Sequence, residues 1–231
     1  MKTAPLKFLF KTGLYALTPG GFGYYRRLRK ELDPEYTFEY HQQNKNPIRN
    51  KHQGTEGWRK KTSTINYRDY EDYDEYLLHQ TLKYQELLKG SDSFLKNRTI
   101  VSYRLKFYRR FRHLPKFLPY AATILCAGAR QGTEVEVLRD LRYVNAYGID
   151  LEPGPGNRLV RQGDFMNMDA ETSSIDMIYC NSLDHAFELD AVFAEHARVI
   201  KPDGYVMYDL ITGQFDKPAP FEAVRWESEN E

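Results

Sequence analysis

A glycine-bearing turn and a following acidic residue are the features of this 231-residue sequence with the clearest chemical use. Gly128 and Gly132 flank a turn after a short apolar run, and glycine lets the backbone approach a ligand closely. Free amides there, with the positive end of the following helix, favour an anionic group. Asp150 lies 22 residues after Gly128, a separation at which a carboxylate accepts hydrogen bonds from ribose hydroxyls. Together these residues predict a site for a nucleoside-bearing cofactor.

The helix behind the turn has its own start signal. Thr133 and Glu136 form a T-x-x-E pattern, which predicts a capping box in which the two residues satisfy free amides. Glycine turns alone are common, because any tight connection from strand to helix favours glycine. The turn, the capping box and the correctly spaced Asp150 are more specific in combination.

Alternating strands and helices must position this site. After residue 120, apolar runs and helical patterns predict strands over 123–126, 146–151, 159–161, 174–180 and 205–210, helices after the glycine turn and over 190–200, and a turn at 201–204. This alternation predicts an α/β fold with a doubly wound, mainly parallel sheet. Ligands of such sheets bind at the carboxyl ends of the strands, where the strand order reverses.

Residues 1–120 have a different pattern. Helical periodicity predicts a helix over 73–88, with Gly90 at its C-terminal cap. It predicts a second helix over 100–114, which the following prolines end. Residues 41–64 are polar and are expected to form a loop or lid. We therefore expect a helical, basic N-terminal extension over 1–120 that supplies the acceptor-binding or lid region, and a ligand-binding domain over 121–231.

Charge divides the chain in the same way. Residues 1–120 carry 24 Lys or Arg and 12 Asp or Glu, whereas residues 121–231 carry 9 and 20. Five of the nine residues over 104–112 are basic, and Phe107, Tyr108 and Phe111 lie among them. This run is typical of a surface for phosphates, such as those of RNA, or for anionic lipid heads. It is equally typical of a helix whose cations contact the acidic second half.

Composition excludes several classes of protein. The 41% of hydrophobic residues can form a packed core, and two Cys cannot build a disulfide framework or a four-thiolate zinc site. No metal-ligand spacing is present, so no metal is expected. No apolar run reaches the roughly 18 residues of a membrane span, and a cytoplasmic protein is expected. The basic and apolar residues over 2–30 leave peripheral contact with a membrane open.

Five segments in register carry a family resemblance. They are ILCAGARQG (124–132), GIDL (148–151), GDF (163–165), SIDMIYCN (174–181) and RVIKPDGY (198–205). Their order and spacing resemble those of class I S-adenosylmethionine-dependent methyltransferases over about residues 121–210. A dinucleotide site would use the same glycines and Asp150, but dinucleotide binding does not require the later segments.

The resemblance implies S-adenosylmethionine as cofactor and a role for each matching position. Gly128, Ala129 and Gly132 would approach its methionine part, and Asp150 would bind its ribose. Asp164, with the backbone of Phe165, would bind the adenine amine. Asn181 would lie beside the methyl group. The full set of expected cofactor contacts is Cys126, Ala127, Gly128, Ala129, Arg130, Gly132, Asp150, Leu151, Asp164, Phe165, Asn181 and Ser182.

Three departures from the family pattern bear on activity. The family usually has an acid where Cys126 stands and a glycine where Arg130 stands. Cys126 cannot supply that carboxylate, and Arg130 either pairs with the cofactor's carboxylate or points to solvent. Only 21 residues follow Leu210, so the sheet is expected to be shortened after its fifth strand unless the chain is a fragment. Residues 221–226 could add one more strand.

His185 is the expected catalytic residue. It follows the fourth predicted strand, where a general base could reach an acceptor hydroxyl or amine, and Asp184 would orient its loop. The alternative is that His185 only packs the next helix, because in-line alignment of donor and acceptor itself supplies much of the rate.

Three functions follow from these features. The first is methyl transfer to an oxygen or nitrogen of a small or lipid-linked acceptor. The second keeps the enzyme but makes RNA the acceptor, through the basic aromatic run of the N-terminal half. The third is a catalytically silent methyltransferase-like module that acts as a binding or adaptor protein, motivated by Cys126, Arg130 and the shortened sheet.

Overall fold

The computed structural model describes residues 57–60, 64–89, 103–154, 156–210 and 221–226. In chain order its elements are β1 (Trp58–Lys60), β2 (Ile65–Arg68), α1 (Tyr73–Lys89), α2 (103–111), β3 (Ile124–Ala127), α3 (Thr133–Asp140), β4 (Tyr147–Asp150), β5 (Val160–Gln162), β6 (Ile175–Cys180), α4 (Leu189–Val199), β7 (Ile200–Tyr208) and β8 (Val224–Trp226). Short 3-10 helices cover Leu114–Lys116 and Leu183–His185. Residues 2–30, for which the sequence leaves peripheral contact with a membrane open, lie outside the described residues.

Five parallel strands form the central sheet, in the order β5-β4-β3-β6-β7. This confirms the predicted α/β fold with a mainly parallel sheet. All four residues of β3 are buried, as expected for a parallel strand covered on both faces. Because β4 and β6 flank β3 on opposite sides, the strand order reverses beside β3, and the carboxyl ends of these three strands meet at one edge.

Alternate residues of β3 face two different cores. Leu125 and Ala127 pack on one face, in a cluster that also holds residues of β2 and β8. Ile124 and Cys126 pack on the other face, with α2 and α3. Successive side chains of a strand point to opposite faces, so β3 contacts the clusters on both faces of the sheet.

A second, three-stranded antiparallel sheet joins the two ends of the described chain. Its order is β1-β2-β8, with Tyr67 of β2 opposite Val224 of β8. The expectation of a loop over 41–64 is therefore wrong for Trp58–Lys60, which pairs with β2. The strand expected over 221–226 is present as Val224–Trp226, but it belongs to this smaller sheet.

The predicted capping box at α3 is wrong, although α3 does begin at Thr133. The N-cap is Gly132, with φ of +84°, and no side chain makes a capping hydrogen bond. The carboxylate of Glu136 instead accepts a hydrogen bond from Arg104 of α2. A charged partner distant in sequence has replaced the local bond that the pattern favours.

The turn expected at 201–204 lies inside β7. Ile200 pairs with Ile175, but the next pairing along β7 joins Tyr205 to Met177. Residues 201–204 therefore form a bulge, with one residue of β6 opposite four of β7. Lys201 Nζ lies 2.7 Å from Asp176 Oδ1, which ties the bulge to β6.

The basic run over 104–112 contacts the acidic half of the chain. Arg104 is fully buried and pairs with Glu136 and Asp140 of α3. Arg110 and Lys106 both pair with Asp209, at 2.6 and 3.2 Å. These contacts favour the second interpretation of the run, a helix whose cations meet the acidic half.

The aromatic residues of the same run face inwards. Phe107 and Phe111 are buried, and the ring of Phe111 meets that of Tyr179 edge to face at 4.9 Å between centroids. Helix α2 is therefore packed on the sheet through its rings and its cations. Within the described ranges, no helix has the length and apolar character needed to cross a membrane.

We predict that Arg104→Ala lowers the free energy of unfolding by about 3 kcal/mol, because it leaves two acidic side chains without their buried partner. The matched control is Arg109→Ala on the same helix, since Arg109 is exposed and its removal should change stability by less than about 0.5 kcal/mol. Urea unfolding of both variants measures the difference. Equal losses would contradict the docking role of Arg104.

Candidate functional site

An open cleft lies at the carboxyl ends of β3, β4 and β6. This is the edge at which the strand order predicts a ligand site. Each of these strands contributes the loop that follows it, and α1 covers one side. The lining residues are Tyr76, Gln80, Gly128, Arg130, Asp150, Leu151, Glu152, Phe165, Ser182 and His185.

The glycine turn leaves no room for a side chain at its first position. Gly128 has φ of +70°, and a Cβ there would lie 2.7 Å from Cβ of Ser182. The hydroxyl of Ser182 donates to the carbonyl oxygen of Gly128 at 3.1 Å. The loops after β3 and β6 are therefore in direct contact, and glycine is required by both the backbone conformation and the approach of Ser182.

Asp150 is held by the backbone with part of its carboxylate still able to accept hydrogen bonds. Its Oδ2 accepts from the amide of Arg130 at 2.7 Å, and its Oδ1 accepts from the amide of Glu152 at 3.0 Å. A carboxylate has about four acceptor positions. Within the described residues these bonds occupy two of the positions, and the others suit a vicinal diol such as that of a ribose.

Asp164 and Phe165 follow β5, and they differ in their relation to the cleft. Phe165 lines it. Asp164 accepts a hydrogen bond from the amide of Met166 at 2.8 Å, and its other oxygen accepts from the hydroxyl of Tyr73 on α1. Burial and the nearby Asp164 raise the pKa of Tyr73, so its hydroxyl keeps the proton that it donates.

Helix α1 contributes cleft residues that the sequence analysis missed. Tyr76 donates to the carbonyl oxygen of His185 at 2.9 Å, and Gln80 donates to that of Phe221 at 3.1 Å. The rings of Tyr76 and Phe187 lie 5.3 Å apart. Helical periodicity predicted the helix, but nothing local indicated that this helix covers the sheet edge. Glu152, two residues after Asp150, was also missed.

His185 and Asp184 lie together, and His185 lines the cleft. Nδ1 of His185 is 2.6 Å from the carbonyl oxygen of Phe221. Since a carbonyl only accepts, Nδ1 carries a proton in this contact. Nε2 lies 3.4 Å from Oδ2 of Asp184. Both ring nitrogens therefore have fixed neighbours, and the orienting role predicted for Asp184 is consistent with its position.

Some of the predicted cofactor residues are buried beneath the cleft and do not line it. Cys126 and Ala127 are buried inside β3, and burial raises the pKa of the Cys126 thiol. Ala129 is buried, and Gly132 packs closely against Val160.

Asn181 lies beside the cleft residue Ser182. Its Oδ1 lies 3.2 Å from the hydroxyl oxygen of Ser182. Contact of any of the predicted residues with a cofactor stays a prediction. Within the part of the chain that the structure describes, no cluster of His, Cys, Asp and Glu has the form of a metal site.

Comparison with known proteins agrees with the motifs. A family model described as a methyltransferase domain matches residues 125–208. Over residues 125–208 the chain is similar to a methyltransferase domain. The match covers the range in which the five segments resemble class I S-adenosylmethionine-dependent methyltransferases, and it confirms that resemblance. No curated protein matches the sequence.

Three solved structures to which the chain is similar come from different organisms. A Pyrococcus horikoshii protein is 20% identical over 44% of this chain and 57% of its own, with a TM-score of 0.36. An S-adenosylmethionine-dependent methyltransferase of Thermotoga maritima is 14% identical over 58% and 75%, with a TM-score of 0.41. One from Aquifex aeolicus is 20% identical over 57% and 79%, with a TM-score of 0.43. The chain thus spans little more than half of the first of these proteins.

The contact between Gly128 and Ser182 yields a stability prediction with an internal control. Gly128 and Gly156 share a φ of +70°, but a Cβ at Gly156 would meet nothing within 4 Å. Gly156→Ala should cost only the backbone strain, about 1 kcal/mol. Gly128→Ala should cost about 1 to 3 kcal/mol more, because it also overpacks against Ser182. Thermal unfolding distinguishes the two, and equal losses would exclude the proposed close packing.

Proposed function

We propose that this protein is an S-adenosylmethionine-dependent methyltransferase that acts on an oxygen or nitrogen of a small or lipid-linked acceptor. The observation that carries the proposal is the position of Asp150. Its carboxylate lies in the cleft beside Gly128, within the methyltransferase domain, and keeps acceptor positions for a diol. That arrangement suits an adenosine-bearing cofactor at the edge where parallel sheets bind ligands.

The residues around the cleft have side chains of the chemical types that such a cofactor needs. Asp150 offers acceptors for ribose hydroxyls, and Phe165 offers an apolar ring for a base. Gly128 allows a ligand to approach the backbone because it has no side chain. When bound, S-adenosylmethionine would supply the methyl group that is attached to its positively charged sulfur. After the transfer, the rest of the cofactor would remain as a neutral thioether.

His185 is proposed to accept the acceptor's proton. Its Nδ1 proton is engaged by the carbonyl of Phe221, which leaves Nε2 as the ring nitrogen able to take a proton. Asp184, 3.4 Å from Nε2, would stabilise the imidazolium that results. Tyr76 and Gln80 of α1 flank this position and would restrict water there.

A small acceptor, or the head of a lipid-linked one, suits the chemistry of the cleft. Its wall combines rings, from Tyr76 and Phe165, with a few polar groups, which is typical of small-molecule sites. The argument for RNA has weakened, because Phe107 and Phe111 are buried and are not available to stack on bases.

Calorimetry tests the cofactor. The intact chain should bind S-adenosylhomocysteine, and Asp150→Ala should weaken binding at least about tenfold because it removes a charged acceptor. Asp203→Ala removes the same charge from an exposed position in the β7 bulge and should leave the affinity unchanged. Undetectable binding by the intact chain, or equal effects of the two variants, would overturn the proposal.

Radiolabel transfer tests the acceptor and His185. Labelled methyl groups from S-adenosylmethionine should enter the small-molecule or lipid fraction of a cell extract. His185→Asn keeps a donor for the Phe221 carbonyl but lacks a basic nitrogen, so the transfer rate should fall about 100-fold with unchanged S-adenosylhomocysteine affinity. Label in RNA would favour the RNA alternative, and no transfer into any fraction would favour a silent binding module.

A further inference from the structure

Gln80 of α1 is a buried amide that the mechanism proposed above uses only to restrict water. It is 9% exposed, and it lines the cleft. Its Nε2 donates to the carbonyl oxygen of Phe221 at 3.1 Å. The same oxygen lies 2.6 Å from Nδ1 of His185, the residue proposed to accept the proton. Gln80 and His185 are therefore joined through one backbone carbonyl.

Side chains of α1 hold Phe221 in place. Phe221 precedes β8, which begins at Val224 and pairs with β2 over three residues. The ring of Phe221 stacks on that of His79 at 5.4 Å between centroids, and its carbonyl accepts from Gln80. Two adjacent residues of α1 thus fix the ring and the carbonyl. A carbonyl oxygen has two acceptor positions, and Gln80 and His185 fill both.

Two neighbours of His185 among the described residues favour opposite tautomers of the neutral ring. A proton on Nδ1 is donated to the carbonyl of Phe221, 2.6 Å away. A proton on Nε2 would instead be donated to Asp184, whose Oδ2 is 3.4 Å from that nitrogen. Only the first tautomer leaves Nε2 able to accept a proton. Because the contact with Phe221 is the shorter one, the position of this carbonyl determines whether His185 can act as the base.

We propose that Gln80 is a positioning residue for methyl transfer, which holds the Phe221 carbonyl against Nδ1 of His185 and thereby keeps Nε2 unprotonated. This inference rests on the proposed function, because it concerns the base of the same reaction. In this role Gln80 acts only through His185. Gln80 and Phe221 lie on either side of residues 125–208, so segments outside the range that matches a methyltransferase domain orient this histidine.

Nitrogen-15 NMR of the histidine side chains tests the tautomer directly. The signals of His185 are assigned by their loss in His185→Asn, and above its titration range the intact chain should carry the proton on Nδ1. Gln80→Met keeps the length of the side chain but removes its amide. The ratio of the Nδ1-protonated to the Nε2-protonated form should then fall about three- to tenfold, because one hydrogen bond to the carbonyl is lost. A proton mainly on Nε2 in the intact chain would refute the proposal.

Thr81→Val is the matched control on the same helix. The hydroxyl of Thr81 donates to the carbonyl oxygen of Leu77 at 2.9 Å, within α1. Valine has a similar shape without the hydroxyl, so this variant removes one hydrogen bond of the helix and leaves the donor to Phe221 in place. The tautomer ratio and the rate of transfer should stay unchanged. Equal shifts in Thr81→Val and Gln80→Met would mean a general effect of α1 and would overturn the proposal.

A double-mutant cycle tests whether Gln80 acts through His185. Gln80→Met alone should lower the rate of label transfer from saturating S-adenosylmethionine about three- to tenfold, with the affinity for S-adenosylhomocysteine unchanged. In a chain that also carries His185→Asn, it should lower the rate no further, because the base has already been removed. Losses that add in the double variant would contradict an action through His185.

The outcomes separate the inference from the proposed function. If the intact chain transfers no methyl group, the proposed function fails, and the tautomer ratio alone decides whether Gln80 orients His185. If transfer occurs and Gln80→Met changes neither the ratio nor the rate, the role of Gln80 is refuted while the proposed function stands. Thermal unfolding checks that Gln80→Met folds. If it does not, Gln80→Asn makes the same test, because its amide is one methylene too short to reach the Phe221 carbonyl.

Discussion

Parallel pairing of β3 with β4 on one side and β6 on the other is the constraint from which the site follows. Ala127, the last residue of β3, lies opposite Ile149 of β4 and Cys180 of β6. The three strands therefore end side by side, and the loops that follow them must share one small space. Gly128 and Asp150 meet there because of backbone pairing and not because their side chains attract each other.

The shared space makes the loops interdependent. Ser182 packs where a side chain on Gly128 would lie, and the amide of Arg130 holds the carboxylate of Asp150. A ligand site built in this way is fixed before the ligand arrives, since most of its groups are backbone atoms or side chains with backbone partners. Preorganisation of this kind lowers the cost of binding.

Local patterns predicted the sheet and the glycine turn because each depends on residues close in sequence. Apolar runs separated by helical periods define β3, β4 and β6, and a carboxylate at the end of β4 is visible from spacing alone. The particular pairs that form between distant residues were not predictable. Tyr73 meets Asp164 across 91 residues, and periodicity indicates that a helix face is buried without indicating what covers it. The capping box failed for the same reason, since Arg104 binds Glu136 from another helix.

The division of charge between the two halves has a structural explanation in the described residues. Cations of α2 pair with Glu136, Asp140 and Asp209, so opposite charges join this helix to the acidic half of the chain. The described residues of the basic half are then part of the architecture around the cleft, with α1 as one wall. The most direct test of this account is a crystal structure with S-adenosylhomocysteine. We expect the ribose hydroxyls on the carboxylate of Asp150 and the amino-acid portion beside Gly128, whereas a ligand bound elsewhere, with Asp150 making no contact, would contradict it.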